Sequence, residues 1–454
     1  QILRELSQQD PPVDEAVKQL PGALNLLAQL AMELSRTTEA VEQYHEAIEI
    51  DQALADRHPE NQEYLSELAA DYNNLGEAHR RIGDNEAADQ SFRQAIEIKQ
   101  KLLEADPENE RWLEALGNSY NNLGILQSPN SAWRKESLDT AIEIRKKLAT
   151  WQPDNAMYRD HLASSYFNLG NFSRDPAQAL EAYEKARQLH EHLLQEDPNV
   201  LRYRFNLAKD LLNAAEVHIR LKDMRPAHDS LGRSIQLHQQ LIAEQPEVPE
   251  YQHSLATCYL YVASLSKAKG DYLAAKDEME KSIAILQQLV KALPDQVRYQ
   301  SALAFAYYRL GDLLFNQVRD REAALKCWQD EVTLREQMTD YRAHPRQLFY
   351  LGGSLNNVAM ILEELGNAAE SAELYAQAVR HQQKALNANP QDGQVRGFLS
   401  NHLSGLSRTR RTLGQWSAAV LSARDLVDLW PGNPDGLYRG AAELARCLQV
   451  AKAA

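Results

Sequence analysis

Tyr72-Asn73-Asn74-Leu75-Gly76 returns as Tyr120-Asn121-Asn122-Leu123-Gly124 and again as Tyr166-Phe167-Asn168-Leu169-Gly170. Weaker copies close at Ala28, Ala215, Ala263, Gly311, Ala359 and Ser407. The steps between these small closing residues are 48, 48, 46, 45, 48, 48, 48 and 48. A period that long, sustained through nearly the whole chain, means one supersecondary unit stacked many times. Such a solenoid presents an extended surface to a partner and rarely holds catalytic machinery.

One unit runs from Glu60 to Pro107. Leu65, Leu68, Ala69, Tyr72, Leu75, Gly76, Ala78 and Ile82 follow helical spacing and predict one amphipathic helix. Gly83-Asp84 stops it. Ala87, Ala88, Phe92, Ala95, Ile96, Ile98, Leu102 and Leu103 make a second apolar stripe, and Pro107 closes the unit. Each helix should be about 30 Å long, from about 20 residues at 1.5 Å rise. Alternating β-branched runs are absent, so no strand is expected. Gly76 and Ala88 fall where two helices of a hairpin must approach closely, and an aromatic recurs nearby as Tyr44, Phe92, Tyr183, Trp328 and Tyr375. That aromatic should fill the gap between adjacent hairpins.

Composition fits a folded, water-facing chain. Of 454 residues, 44% are hydrophobic and 25% charged. The net charge of -15 argues against a general binder of phosphate backbones and leaves protein or peptide partners, not nucleic acid or a membrane. Cys258, Cys327 and Cys447 show neither disulfide nor metal spacing and suit a reducing, cytoplasmic setting. No apolar run approaches the ~20 residues needed to span a bilayer.

Leu-Gly, then Gly-Asp, then Ala, an aromatic, Ala and a late Pro resembles the tetratricopeptide repeat over residues 12–454. The resemblance implies an all-α solenoid, a right-handed superhelix of antiparallel helix pairs. The departure is length: 45–48 residues per unit against the usual ~34. The long form, with Tyr-Asn-Asn-Leu-Gly and Ala95-Ile96-Glu97-Ile98, is similar to the C-terminal repeat regions of large bacterial eukaryotic-like Ser/Thr kinases; kinesin light chains also use a lengthened unit. Nine hairpins are expected over residues 12–431, and a capping helix over 432–454. Residues 1–11 read as the tail helix of a preceding, truncated repeat: Asp10-Pro11 matches Asp106-Pro107, and there is no initiator Met. A catalytic domain upstream is one expectation that follows.

The sharpest site candidates form a column two residues before the closing small residue: Asn74, Asn122, Asn168, Asn213 and Asn357, with Tyr261 and Arg309 between the last two. In tetratricopeptide proteins this part of the first helix tends to face the concave groove. The column resembles the asparagine ladder of the O-linked N-acetylglucosamine transferase family, whose amides grip the backbone of an extended peptide. An amide offers one peptide unit both a donor and an acceptor. The alternative is that these amides bond to neighbouring helices. One residue earlier runs Asn25, Asn73, Asn121, Phe167, Leu212, Leu260, Tyr308 and Asn356, a groove whose chemistry changes along its length or ordinary packing variation. Arg408, Arg410 and Arg411 could hold an acidic peptide or simply face solvent. His190-Glu191-His192 invites a metal reading, but residues two apart on a helix face different ways and no third ligand is evident. Tyr158-Arg159-Asp160 only faintly resembles a kinase catalytic loop. Asn171-Phe172-Ser173 fits a glycosylation sequon without a secretory context. No phosphate loop, dinucleotide fingerprint or nucleophile elbow is present. The sequence therefore points to a non-catalytic binding scaffold that needs no cofactor or metal. Self-association into an oligomer and a sensor arm in a defence or protease complex stand as alternatives.

Overall fold

The computed structural model describes residues 14–34, 36–126, 131–338 and 345–453. Among them the regular elements are helical and pair off along the chain. The pairs are α1 (Asp14–Glu33) with α2 (Thr37–Arg57), α3 (Gln62–Ile82) with α4 (Asn85–Ala105), and α5 (Glu110–Ile125) with α6 (Ser131–Trp151). Next come α7 (Ala156–Phe172) with α8 (Pro176–Glu196), α9 (Leu201–Leu221) with α10 (Met224–Glu244), and α11 (Pro249–Ala268) with α12 (Tyr272–Ala292). The last pairs are α13 (Val297–Leu313) with α14 (Arg321–Gln337), α15 (Pro345–Glu364) with α16 (Ala368–Ala388), and α17 (Gly393–Thr412) with α18 (Trp416–Asp428). A single helix, α19 (Pro434–Ala453), follows. The tail helix expected at residues 1–11 lies outside the described residues. The chain divides into two compact units, Gln1–Leu237 and His238–Ala454, the division falling inside α10.

The helix ends follow from local chemistry. Asn61, Asn109, Asn155, Asp175, Asp271, Asp320 and Asp392 each cap a helix by accepting from a backbone N–H in its first turn. Gly83 ends α3 in the left-handed region at φ 85°, which L side chains rarely adopt. The closing small residue has a steric cause. A Cβ added to Gly76 would lie 2.6 Å from Cε1 of Phe92, and one added to Gly311 would lie 2.7 Å from Cδ1 of Trp328. The aromatic of the second helix thus rests on the glycine of its own hairpin. It also reaches the next hairpin, because Phe92 packs with Leu116 and Leu123, and Tyr44 with Leu68 and Leu75.

Within each unit the first helices of successive hairpins pack on one another: α3, α5, α7 and α9 in the first, α15, α17 and α19 in the second. In the first unit the surface between neighbouring hairpins carries open grooves. One, of about 700 Å³, lies beside α6 and α8, and one of about 500 Å³ beside α8 and α10.

A second feature lies inside the stack. One position of the second helix, repeating in step with the period, reads Asp51, Lys99, Arg145 and His190 in the first unit. It continues as His238, Leu286, Leu334 and Gln382 in the second, and all eight are buried. Twenty residues on, across the joint to the next first helix, stand Asp71, Ser119, Ser165 and Asp210, then Cys258, Ala306, Ser354 and His402. Lys99 Nζ donates to Ser119 Oγ at 2.7 Å and to the Ala115 carbonyl at 3.2 Å. Arg145 donates to Ser165 Oγ, to the His161 carbonyl at 2.9 Å and to Asn118 Oδ1. His190 Nδ1 meets Asp210 Oδ2 at 2.6 Å, and its Nε2 lies 3.5 Å from Asp160. Burial without an ionic partner lowers Lys99 to about 8. Burial also opposes the charged form of His190, but its bonds to Asp160 and Asp210 outweigh that and raise it to about 9.

Candidate peptide-binding face

The five members of the asparagine column all sit on first helices, and all five are half-buried. At three steps of the first unit an asparagine of one first helix is tied to an asparagine of the next. Asn73 Oδ1 accepts from Ser119 Oγ at 2.9 Å and from Asn122 Nδ2 at 3.4 Å. One step on, Asn121 Oδ1 accepts from Ser165 Oγ at 3.3 Å and from Asn168 Nδ2 at 3.0 Å. Asn213 Nδ2 donates to Asn171 Oδ1 at 3.3 Å. Asn73 and Asn121 of the earlier column thus hold Asn122 and Asn168 of the later one, while Asn213 is held by Asn171 instead. These bonds spend one donor each of Asn122, Asn168 and Asn213. Among the described residues, Oδ1 of Asn122, Asn168 and Asn213 accepts no hydrogen bond, and Asn74 makes none through its side chain. These oxygens and the remaining N–H groups are left without a partner among those residues.

In the second unit the same track changes character. Tyr261 is half-buried. Tyr308 is 38% exposed, beside Phe305 at 44%. Arg309 donates to Ser264 Oγ at 2.9 Å and carries its guanidinium 5.6 Å from the centre of the Phe305 ring. Asn357 Oδ1 accepts from its neighbour Asn356 at 3.5 Å, while Asn356 Oδ1 is bound by His402 at 2.9 Å. Leu212 and Leu260, in the earlier column, are buried and act as packing residues.

The other candidates resolve into structure. Arg408 pairs with Glu363 at 2.6 Å, Arg410 donates to Ser422 at 2.7 Å, and Arg411 pairs with Glu443 of α19 at 2.5 Å. The basic cluster therefore fastens neighbouring helices. His190 and His192 diverge: His190 is buried between two aspartates, whereas His192 lies outside, beside Arg159 and Glu196. Tyr158 donates to Glu110, Arg159 pairs with Glu196 and Asp160 faces His190, so that triplet joins hairpins. No group of three or more possible metal ligands comes together among the described residues. Among them, too, no helix is long and apolar enough to cross a membrane.

Residues 19–101 and 351–392 each match a family model described as tetratricopeptide repeat. No curated protein matches the chain. Solved structures resemble it at low identity. BtubC (BKLC) from P. vanneervenii is 14% identical, with 62% of this chain and 92% of that one covered and a TM-score of 0.42. A Signal Transduction ATPase with Numerous Domains protein with a tetratricopeptide repeat sensor, from Pyrococcus horikoshii, is 12% identical. The match covers 79% of this chain and 49% of that one at a TM-score of 0.45. A thermophilic repeat protein from Thermus thermophilus is 18% identical, with 52% and 98% covered and a TM-score of 0.30. Matched repeats lie toward both ends and the same helix hairpin recurs between them, so the fold is a solenoid of tetratricopeptide-like helix hairpins.

Proposed function

We propose that this chain is a non-catalytic scaffold that binds an extended segment of a partner protein along its first helices. In the first unit Asn74, Asn122, Asn168 and Asn213 take the partner's main chain. In the second, Asn357 does the same, while Tyr261, Tyr308 and Arg309 choose among side chains. The observation that carries this reading is the asparagine network. Asn122, Asn168 and Asn213 are each held by the repeat before them and still have an oxygen and a donor to offer, so little ordering is left for binding to impose. The lengthened Tyr-Asn-Asn-Leu-Gly unit supports placing the scaffold in a larger bacterial signalling protein of the Ser/Thr kinase kind. The acidic balance supports protein over nucleic-acid partners, and three cysteines without disulfide spacing suit a cytoplasmic setting.

The test uses peptides selected from a display library against the whole chain. One neutral hydrogen bond is worth ~0.5–1.5 kcal/mol net, so single Asn→Ala changes should weaken binding modestly. Changing Asn74, Asn122, Asn168 and Asn213 together should abolish binding of peptides that use the first unit. A large loss of stability with binding intact would show the column to be internal structure alone.

A further inference from the structure

The joint between the first two hairpins differs from every other joint in the first unit. Where the following joints place Lys99 against Ser119 and Arg145 against Ser165, this one places Asp51 of α2 against Asp71 of α3. Both carboxyls are buried, at 1% and 0% exposure. Asp71 Oδ1 accepts from Asn25 Nδ2 of α1 at 2.6 Å. Both oxygens of Asp51, and Oδ2 of Asp71, find no donor in the protein. Among the described residues neither acid forms an ion pair. Two adjoining acids lacking donors are completed most simply by a proton, which turns one carboxyl into the donor for the other.

We propose that this joint is a proton-dependent clasp: a proton shared by Asp51 and Asp71 docks the first hairpin on the second, and its loss releases that hairpin. The surroundings favour protonation. Glu67 of α3 adds negative charge near both acids, and Arg111 of α5 acts on Glu67, beside Glu63. Tyr44 of α2 also faces Asp71, with Glu77 and Arg81 nearby, and its phenol is pushed up by burial first and then by Asp71.

The sign follows from linkage. Burial, then the bond and charge of Asp71, raise Asp51 to about 8. Burial raises Asp71 to about 6, partly offset by its bonds to Asp51 and Asn25. A separated aspartate titrates near 3.8. The docked joint therefore holds protons that the open one has lost, and rising pH opens it. Between about pH 6 and about pH 8 the difference is one proton, so the opening constant should rise nearly ten-fold per pH unit. Above about 8 both states are ionised and the slope should vanish.

Hydrogen exchange on the full chain from pH 6 to 9, corrected for intrinsic rates, reads this directly. Protection in α2 and α3 should fall nearly ten-fold per pH unit up to about 8 and then level off. Protection at the Arg145 joint, between α6 and α7, should stay flat over that window. Asp51→Asn and Asp71→Asn should each remove most of the slope. The proposal is overturned if wild-type protection in α2 and α3 is flat, if α6 and α7 share the slope, or if the slope survives in the variants. Should one variant fail to fold, the wild-type profile and the other variant still decide.

Discussion

His190→Leu should undo the joint between α8 and α9, and the size of the loss can be worked from the structure. His190 is raised from 6.5 to about 9, which favours the docked state by about 3 kcal/mol at 1.36 kcal/mol per pKa unit. Burial raises Asp210 from 3.8 to about 6, with its bond to His190 opposing, and that costs about 3 kcal/mol on the same scale. The intact pair thus nearly breaks even, as buried ion pairs often do. Leucine removes the cation and leaves Asp210 buried alone. Asp160 fares better, because Arg202 lies 3.1 Å away and Asn206 donates to it at 3.3 Å. Orphaning one partner of a buried pair costs ~3–5 kcal/mol. Stacked repeats open locally rather than all at once, so the assay is hydrogen exchange in α7, α8 and α9. Protection there should drop by roughly two to almost four orders of magnitude at pH 7. The deficit should shrink toward pH 5, where Asp210 takes up a proton, and His190→Leu with Asp210→Leu should recover most of it. In the wild type the stabilisation from His190 should be complete below pH 6.5 and be lost as pH rises through about 9. A variant with protection within three-fold of wild type at pH 7, and no pH dependence, would refute the reasoning.

Other changes follow from the same packing. Gly76→Val puts a branched side chain where even a Cβ would lie 2.6 Å from Phe92, so denaturant unfolding should show a loss of ~1–3 kcal/mol or more. Arg411→Ala removes the 2.5 Å tie from α17 to buried Glu443 and leaves that carboxylate only Arg446 of its own helix. It should loosen α19, read as faster exchange in α18 and α19. Truncation at Pro431 should expose the face of α18 formed by Ala419 and Ala423, which packs with Cys447, and promote aggregation. A truncated chain that stays monomeric with an unchanged Tm would count against the capping role.

The hairpin is written in the sequence because its rules act locally. Helical spacing, Gly83 at a left-handed turn, Asp and Asn caps, and a glycine opposite an aromatic all fall within one 48-residue step. The buried polar column is harder to read, because its partners lie twenty residues away across a joint. His190 drew notice beside His192, yet its real neighbours are Asp160 and Asp210. Its signal is the charged residue that ends an apolar phrase at a fixed repeat position, as in Ile50-Asp51, Ile98-Lys99, Ile144-Arg145 and Leu189-His190. The asparagines were legible as a column, but the bonds of Asn122 to Asn73 and of Asn168 to Asn121 were not. They depend on how far one first helix stands from the next. Arg411 looked like surface charge because Glu443 comes 32 residues later, on α19.

The central claim is that the first helices take an extended peptide. Hydrogen exchange of the whole chain with and without a display-selected peptide tests it most directly. The account predicts added protection in first helices, in the asparagine-bearing turns of α3, α5, α7 and α9 or in α11, α13 and α15, with the second helices unchanged. A footprint confined to the second helices, along the open grooves beside α6, α8 and α10, would contradict it.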